Sequence, residues 1–203
     1  MSKVEDVLAE YGTTHAEQAG IKLADKPKPL YQLLVLTTLM SARIGTDIAV
    51  AAAKELFKAG WRTPQALRGS EWIDRVHALG RGHYVRYDES TARYLADSAE
   101  FLRERYHDDL RGLAEAADES VQKLRRLLTE FPRIGPTGAQ IFCQEVQAVW
   151  PWVRPFFDQR ALDGARKAGL PTEPEELLAL VPGDDVARLA AALVQVSLHG
   201  KKS

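Results

Sequence analysis

The sequence predicts an all-α fold, and three observations lead to that prediction. Apolar residues recur at helical spacing, as in the series Leu124, Leu127, Leu128 and Phe131. Proline and glycine residues stand where helices are expected to begin and end. No segment shows the alternation of apolar and polar residues that is typical of a half-buried strand. The 203 residues suffice for one large domain or two small ones with a sizeable core.

The first half of the chain carries several helix signals. Residues 2–5 (Ser-Lys-Val-Glu) form a capping-box pattern, which predicts a short amphipathic helix before a connecting arm over 12–28. Residues 30–40 are apolar almost all round, so this helix should be buried on every side and form the core of a central domain. Three more helices are expected, one through Phe57 with Thr46 as its N-cap, one from Thr63-Pro64 and one from Ser70.

The second half begins with a glycine-rich loop over 80–88 that carries aromatic and basic side chains. A long amphipathic helix through Tyr106 follows it. Further helices are expected over 158–167, 175–181 and 186–196.

The stretch Phe131-Pro-Arg-Ile-Gly-Pro-Thr-Gly-Ala139 predicts a short hairpin between two helices. Gly135 allows a tight backbone turn, and Pro136 suits the first position of the second helix. Gly135, Thr137 and Gly138 then offer backbone N–H groups at the positive end of the helix dipole. Such a terminus binds a phosphate or another anion without side-chain charge.

This hairpin resembles the helix-hairpin-helix motif of the endonuclease III superfamily of DNA glycosylases. Two further segments resemble the same family. Phe157-Asp158, about twenty residues on, is similar to the segment with the family's essential aspartate. Leu39-Met-Ser-Ala-Arg-Ile-Gly-Thr-Asp47 resembles its Leu-Ser-Ala-Gln-x-Thr-Asp segment, with one extra residue. The three matches follow the family's order and together cover roughly residues 29–170.

The resemblance implies a domain organisation. A central helical domain is expected at 25–135, and residues 1–24 together with 136–203 would form a terminal domain that carries the catalytic aspartate. In the family, DNA crosses the cleft between two such domains.

The resemblance also implies roles for individual residues. Asp158 would be the catalytic carboxylate, which stabilises the oxocarbenium-like cation formed as a base departs. The residue pattern alone is explained as well by an ordinary helix N-cap. Arg43 stands where the family has a glutamine that fills the gap left by a flipped nucleotide, although a surface arginine at a helix end fits too. The implied DNA-binding residues are Arg43, Arg133, Ile134, Gly135, Thr137 and Gly138.

Five positions bear on how far the resemblance extends to chemistry. Thr137 occupies the position of the family's lyase lysine, which implies base release without strand cleavage. Arg133 replaces the first hairpin glycine, and Pro136 removes one N–H from the anion site. Tyr84 and Tyr87, in the glycine-rich loop, are candidates for a base pocket.

The charge distribution agrees with a basic hairpin region. The chain as a whole has a net charge of −1. Residues 121–170 hold eight basic and four acidic side chains, or 8 − 4 = +4, whereas residues 71–120 hold seven and twelve, or 7 − 12 = −5. Ordinary surface variation would produce a similar pattern, so the distribution supports DNA binding without establishing it.

Composition also limits cofactors and compartment. A single cysteine, Cys143, excludes an internal disulfide and a four-cysteine iron–sulfur cluster, so no metal or cofactor is expected. The resemblance allows a monovalent cation at the hairpin. No apolar run is long enough to span a membrane, and the N-terminus lacks the apolar stretch of a signal peptide. A cytoplasmic, nucleoid-associated monomer is therefore expected.

Three functions remain open at this point. The first is a monofunctional DNA glycosylase of base excision repair, whose partner is double-stranded DNA with a lesion or mismatch. The second is a non-catalytic DNA-binding protein of the same fold, which the altered hairpin favours. The third is a helical protein-interaction module, in which Arg133 and Asp158 are only surface and cap residues.

Overall fold

The structure, a computed structural model, describes residues 2–199. Within this range the regular secondary structure is helical throughout, which confirms the predicted all-α class. The α-helices are α1 (Lys3–Tyr11), α2 (His15–Gln18), α3 (Pro27–Met40), α4 (Thr46–Lys58), α5 (Pro64–Arg68), α6 (Trp72–Arg81), α7 (Asp88–Tyr106), α8 (Arg111–Ala117), α9 (Val121–Leu128), α10 (Pro136–Val146), α11 (Gln159–Ala168), α12 (Pro174–Leu178) and α13 (Val186–His199). Two 3₁₀ helices cover Pro151–Val153 and Gly183–Asp185. Over residues 2–199 no helix is both long and apolar enough to cross a membrane.

The chain divides into two compact units. One is Ala19–Phe142, and the other takes its described residues from 2–18 and 143–199. Residue 1 and residues 200–203, which belong to the predicted terminal domain, lie outside the described residues. The functional roles given to the two predicted domains stay predictions.

The Ala19–Phe142 unit is built around α3. Two prolines in its first turn suit the start of a helix, where no N–H is needed. The remaining positions are apolar on all sides, so α4 and α7 can pack against different faces of the same helix. Its buried leucines are at most 1% exposed and are Leu30, Leu33, Leu34, Leu36 and Leu39.

Two predicted helix starts in this unit need correction. Thr46 is the first helical residue of α4, and the extended N-cap is Gly45, which provides no side-chain cap. Helix α6 begins at Trp72 instead of Ser70. The Ser70 hydroxyl donates to the Leu67 carbonyl at the end of α5, so this serine closes the preceding helix. The cap at Thr63 is as predicted, since its hydroxyl accepts from the Ala66 N–H at 3.2 Å.

The second unit has a core formed by α11, α12 and α13, against which α1 packs. The fully buried residues of this cluster are Ala161, Ala165, Leu177, Leu189 and Leu193. Gly164 lies so close to α13 that an added Cβ would overlap the Leu193 carbonyl group. Backbone therefore meets backbone at this crossing, and it fixes how α11 lies on α13.

Candidate nucleic-acid interface

The hairpin spans the seven residues between α9 and α10, and hydrophobic packing anchors it. The Phe131 ring, 2% exposed, stacks on Tyr106 with ring centroids 6.0 Å apart and meets Phe101 edge-on at 4.8 Å. Ile134 is 4% exposed, and its N–H donates to the Phe131 carbonyl at 3.2 Å. Ile134 is therefore a core residue of the turn. Its side chain and its N–H are both engaged within the turn, and its predicted role in DNA binding stays a prediction.

The left-handed residue of the hairpin is Arg133, with φ 70°. The prediction assigned the special backbone conformation to Gly135, but Gly135 has no positive φ, and a Cβ added there would meet open space. Arg133 is exposed, and its guanidinium lies 5.2 Å from the ring centroid of Tyr94 and 5.8 Å from that of Tyr87. Cation–π contacts with these two rings thus hold the Arg133 side chain, although the left-handed backbone is unfavourable for a residue with a Cβ.

The start of α10 presents free backbone donors. The first helical hydrogen bond runs from the Ala139 N–H to the Gly135 carbonyl, at 3.0 Å. The N–H groups of Gly135, Thr137 and Gly138 have no acceptor among the described residues. Pro136 has no N–H, so three donors remain at this dipole end.

Two arginine side chains share a hollow with the first turn of α10. The hollow has a volume of about 220 Å³ and lies between α9 and the start of α10. Its lining residues are Gln122, Arg125, Arg126, Thr129, Pro136 and Ala139. Sequence reasoning counted Arg125 and Arg126 only as charge, although both line this hollow.

The Ser-Ala-Arg segment and the hairpin meet within this unit. A Cβ added to Gly138 would collide with Ser41 Oγ, so any side chain there must displace the Ser41 hydroxyl. Ser41 Oγ itself donates to the Thr37 carbonyl at 2.7 Å. Arg43, two residues after Ser41, is exposed in the turn between α3 and α4. The structure thus brings together two of the three segments that the sequence singled out.

The two tyrosines of the glycine-rich loop have different environments. Tyr84 has no exposed surface, and its hydroxyl lies 3.2 Å from the Thr91 hydroxyl. Burial raises the pKa of this phenol. Tyr84 is therefore a core residue of the loop, and its predicted place in a base pocket stays a prediction. Tyr87 is half-buried, and its ring contacts Arg86 at 4.9 Å as well as Arg133.

Asp158 lies in the other unit, immediately before α11. It has the extended backbone of an N-cap, and its Oδ1 accepts from the Ala161 N–H at 2.9 Å. Oδ2 accepts no hydrogen bond from the part of the chain that the structure describes. The side chain is half-buried. The carboxylate is thus held by one oxygen and has the other free, at the positive end of a helix dipole.

The segment before Asp158 is fixed by Gln147, which sequence reasoning missed. Its amide Nε2 donates to the Phe156 carbonyl, and its Oε1 accepts from the Phe156 N–H, both at 2.8 Å. Arg154 donates to the carbonyls of Gln147 and Ala148 at 2.6 and 2.8 Å. The signal in the sequence was the polar Gln147 within an apolar helical stripe, because a buried polar side chain needs hydrogen-bond partners.

A buried carboxyl group lies in the same unit. Glu145 is 1% exposed, and its Oε1 accepts from the His15 N–H at 2.7 Å, where α2 begins. Burial raises the pKa of Glu145 to about 7, although the N–H groups of His15 and Ala16 act in the opposite direction. This carboxyl group joins the N-terminal segment to α10.

Comparison with known proteins identifies the fold. No protein-family model matches the sequence, and no curated protein matches it. The structure is similar to that of endonuclease III in a trapped covalent intermediate with DNA, an estranged-adenine complex. The two chains share 14% sequence identity, the match covers 96% of this chain and 85% of the other, and the TM-score is 0.50. This chain therefore has a fold of the endonuclease III type.

Proposed function

From the endonuclease III fold and the hairpin contacts, we infer that this protein is a DNA glycosylase that releases a damaged or mispaired base by hydrolysis. The observation that carries the proposal is the contact between Gly138 and Ser41. It joins the anion-binding start of α10 to the turn that carries Arg43. A DNA backbone contact and a side chain able to enter the base stack are thus offered by one unit.

The hairpin would hold the DNA backbone. Free N–H groups at Gly135, Thr137 and Gly138 fit the oxygens of a phosphate, and the dipole of α10 favours a negative charge there. Arg125 and Arg126 in the adjacent hollow, together with Arg133, add cations that compensate for the donor lost at Pro136. Contacts of this kind position DNA without reading its sequence.

Arg43 would occupy the gap in the duplex. Extruding a nucleotide costs a few kcal/mol of stacking and pairing, and a side chain in the vacated space recovers part of that cost. Arginine can stack on bases and donate hydrogen bonds to the unpaired partner. The exposed position of Arg43 in the turn after α3 supports this role.

Asp158 would provide the catalytic charge. As the N-glycosidic bond breaks, positive charge develops on the sugar, and a nearby carboxylate stabilises it. The free Oδ2 is the oxygen available for that work or for orienting a water molecule. Thr137 at the lyase-lysine position leaves no amine there for an imine, so water is the proposed nucleophile.

A non-catalytic DNA-binding protein of the same fold is the second candidate. Arg133 and Pro136 favour it, because both alter the anion site at the hairpin. Both candidate functions are compatible with a cytoplasmic monomer that holds no iron–sulfur cluster or metal. The proposal includes this location, this oligomeric state and the lack of a cofactor.

A panel of duplexes, each with one lesion or mismatch, tests the activity. Release of a base leaves an abasic site that breaks in alkali, so alkali-dependent strand scission on at least one substrate is the expected result. Scission without alkali, or an enzyme–DNA adduct trapped by borohydride, would contradict the monofunctional assignment. Binding to all duplexes without base release would favour the second candidate.

A further inference from the structure

A second cationic surface lies on the Ala19–Phe142 unit, away from the hairpin. It is a groove with a volume of about 1110 Å³, lined by the arm before α3, the first turn of α3 and the end of α4. Among the described residues that line it, none is acidic. We call it the lysine groove, and its cations are Lys22, Lys26, Lys28, Lys54, Lys58 and Arg62.

The cations of the lysine groove are open to solvent. All six cationic side chains are exposed, and no acidic side chain lines the groove with them. Elsewhere in the same unit, Arg68 binds Asp108 through two hydrogen bonds of 2.6 and 2.9 Å. Arg68 is thus held by a carboxylate, whereas the six cations of the groove share one surface and repel one another.

The first turn of α3 strengthens this positive potential. Lys26 is its N-cap and provides no side-chain hydrogen bond, and the first helical bond runs from the Leu30 N–H to the Lys26 carbonyl. The Lys28 N–H has no acceptor among the described residues, so the positive end of the α3 dipole adds to the lysine charges.

The groove lies at the far ends of the helices that carry the candidate base-flipping turn. Helix α3 runs from the groove to the turn with Arg43, and α4 returns from that turn to Lys58. A helix of 14 residues is about 21 Å long, which is twice the Debye length at 0.1 M salt. One phosphate contact cannot serve both surfaces.

We propose that the lysine groove binds the sugar–phosphate backbone of a second duplex DNA segment, so that one protein molecule holds two segments at once. Five of its six cations are lysines, whose compact charges suit phosphate contacts that do not depend on sequence. Planar recognition of a carboxylate or a terminal phosphate uses arginine forks instead, and only Arg62 offers one. The choice of DNA as the polyanion rests on the proposed function.

Three variants of the full chain test the proposal. The groove variant carries Lys22→Gln, Lys54→Gln and Lys58→Gln. A charge-matched control carries Lys3→Gln, Arg103→Gln and Arg166→Gln, three exposed cations that do not line the groove. A third variant changes the same three groove lysines to arginine. Thermal unfolding confirms that each variant is folded before binding is measured.

Bridging is measured by the retention of a fluorescent duplex on beads that carry a second, biotinylated duplex. Wild type, the control and the arginine variant should bridge, and the groove variant should lose bridging while it still binds a single duplex. The slope of log K against log salt for the second duplex should fall by about 2 to 3, since each lost phosphate contact removes about 0.9.

Equal bridging by the groove variant and the control would overturn the proposal, because the second duplex would then be held elsewhere or by a second protein molecule. Displacement of the second duplex by polyglutamate or inorganic triphosphate as efficiently as by DNA would overturn it too. Base release by the same variants is a separate readout. If the groove variant loses bridging and keeps base excision, both proposals are supported. If the wild type bridges two duplexes but excises no base from any lesion, the proposal for the lysine groove stands and the glycosylase assignment is wrong.

Discussion

Gly138 packs directly against the Ser41 side chain, so that the first turn of α10 rests on the end of α3 through the Ser41 hydroxyl. This contact joins two sequence segments almost a hundred residues apart. Arg43 lies two residues after Ser41 in the same turn. The position of this candidate base-flipping side chain therefore depends on how the hairpin packs against Ser41.

Gly138→Ala should destabilise the wild type but stabilise the Ser41→Ala variant. In the wild type the new methyl group displaces Ser41 Oγ and breaks its hydrogen bond to the Thr37 carbonyl, a loss of about 1 kcal/mol. Without that hydroxyl, the higher helix propensity of alanine remains, worth about 0.8 kcal/mol. Urea denaturation of the four proteins gives the coupling energy. Additive effects would show that the two residues do not touch.

Arg133→Gly should be more stable than Arg133→Ala by about 1 kcal/mol. Both changes remove the cation–π contacts with Tyr87 and Tyr94, but only glycine relieves the left-handed backbone. Both should also weaken DNA binding and lower its salt slope by about 1.

Arg93 provides the matched control for Arg133, because it stacks on Trp72 from within α7. At Arg93 the alanine variant should be the more stable of the two, since alanine stabilises a helix interior by about 1 kcal/mol relative to glycine. The same order at both positions would contradict the left-handed assignment of Arg133.

The sequence predicted most helices of this fold, because apolar periodicity and proline positions act locally. It missed α2, a helix of four residues within the predicted arm, and α8, whose buried side chains are only Leu113 and Ala117, too few for a recognisable stripe. It also placed the strained turn residue at Gly135, since a glycine is the usual choice and nothing in the order of residues reveals a stacked arginine. Burial of Ile134 and Tyr84 depends on contacts with distant segments, which a local pattern does not contain.

Asp158→Asn should reduce single-turnover base release by at least about 100-fold while the free energy of unfolding changes by less than about 0.5 kcal/mol. Asparagine caps a helix as well as aspartate does, so the bond to the Ala161 N–H is kept and the charge is lost. Asp163→Asn, on the same helix and paired with Arg166, is the control and should keep full activity. Wild-type rates in Asp158→Asn would make Asp158 a structural cap only.

Glu145 should make the protein less stable as the pH rises from about 4.5 to 7. Its folded-state pKa, about 7, exceeds its ordinary value of 4.5, so the folded state binds more protons across this window and ionisation inside the core is unfavourable. The full effect is up to about 3 kcal/mol. His15 acts in the opposite direction below pH 6.5, because burial lowers its pKa.

Glu145→Gln isolates the contribution of this carboxyl group, since the amide still accepts from the His15 N–H. The difference in unfolding free energy between wild type and Glu145→Gln should be smallest near pH 4.5 and shift in favour of the variant by pH 8. Glu17→Gln should reduce the loss of stability with rising pH, because the Glu17 charge is one of the causes that raise the pKa of Glu145. A pH-independent difference for Glu145→Gln would refute the assigned titration.

The backbone contact between Gly164 and Leu193 has a consequence for how this protein can diversify. Because α11 is held by its main chain and by the buried Ala161 and Ala165, the exposed side chains beside Asp158 are not needed to hold that helix in place. Exposed residues such as Gln159 and Arg160 can therefore change in size or polarity while the carboxylate keeps its position. Under the proposed function, preference for a different base could then arise through substitutions beside the carboxylate without a change in the position of Asp158.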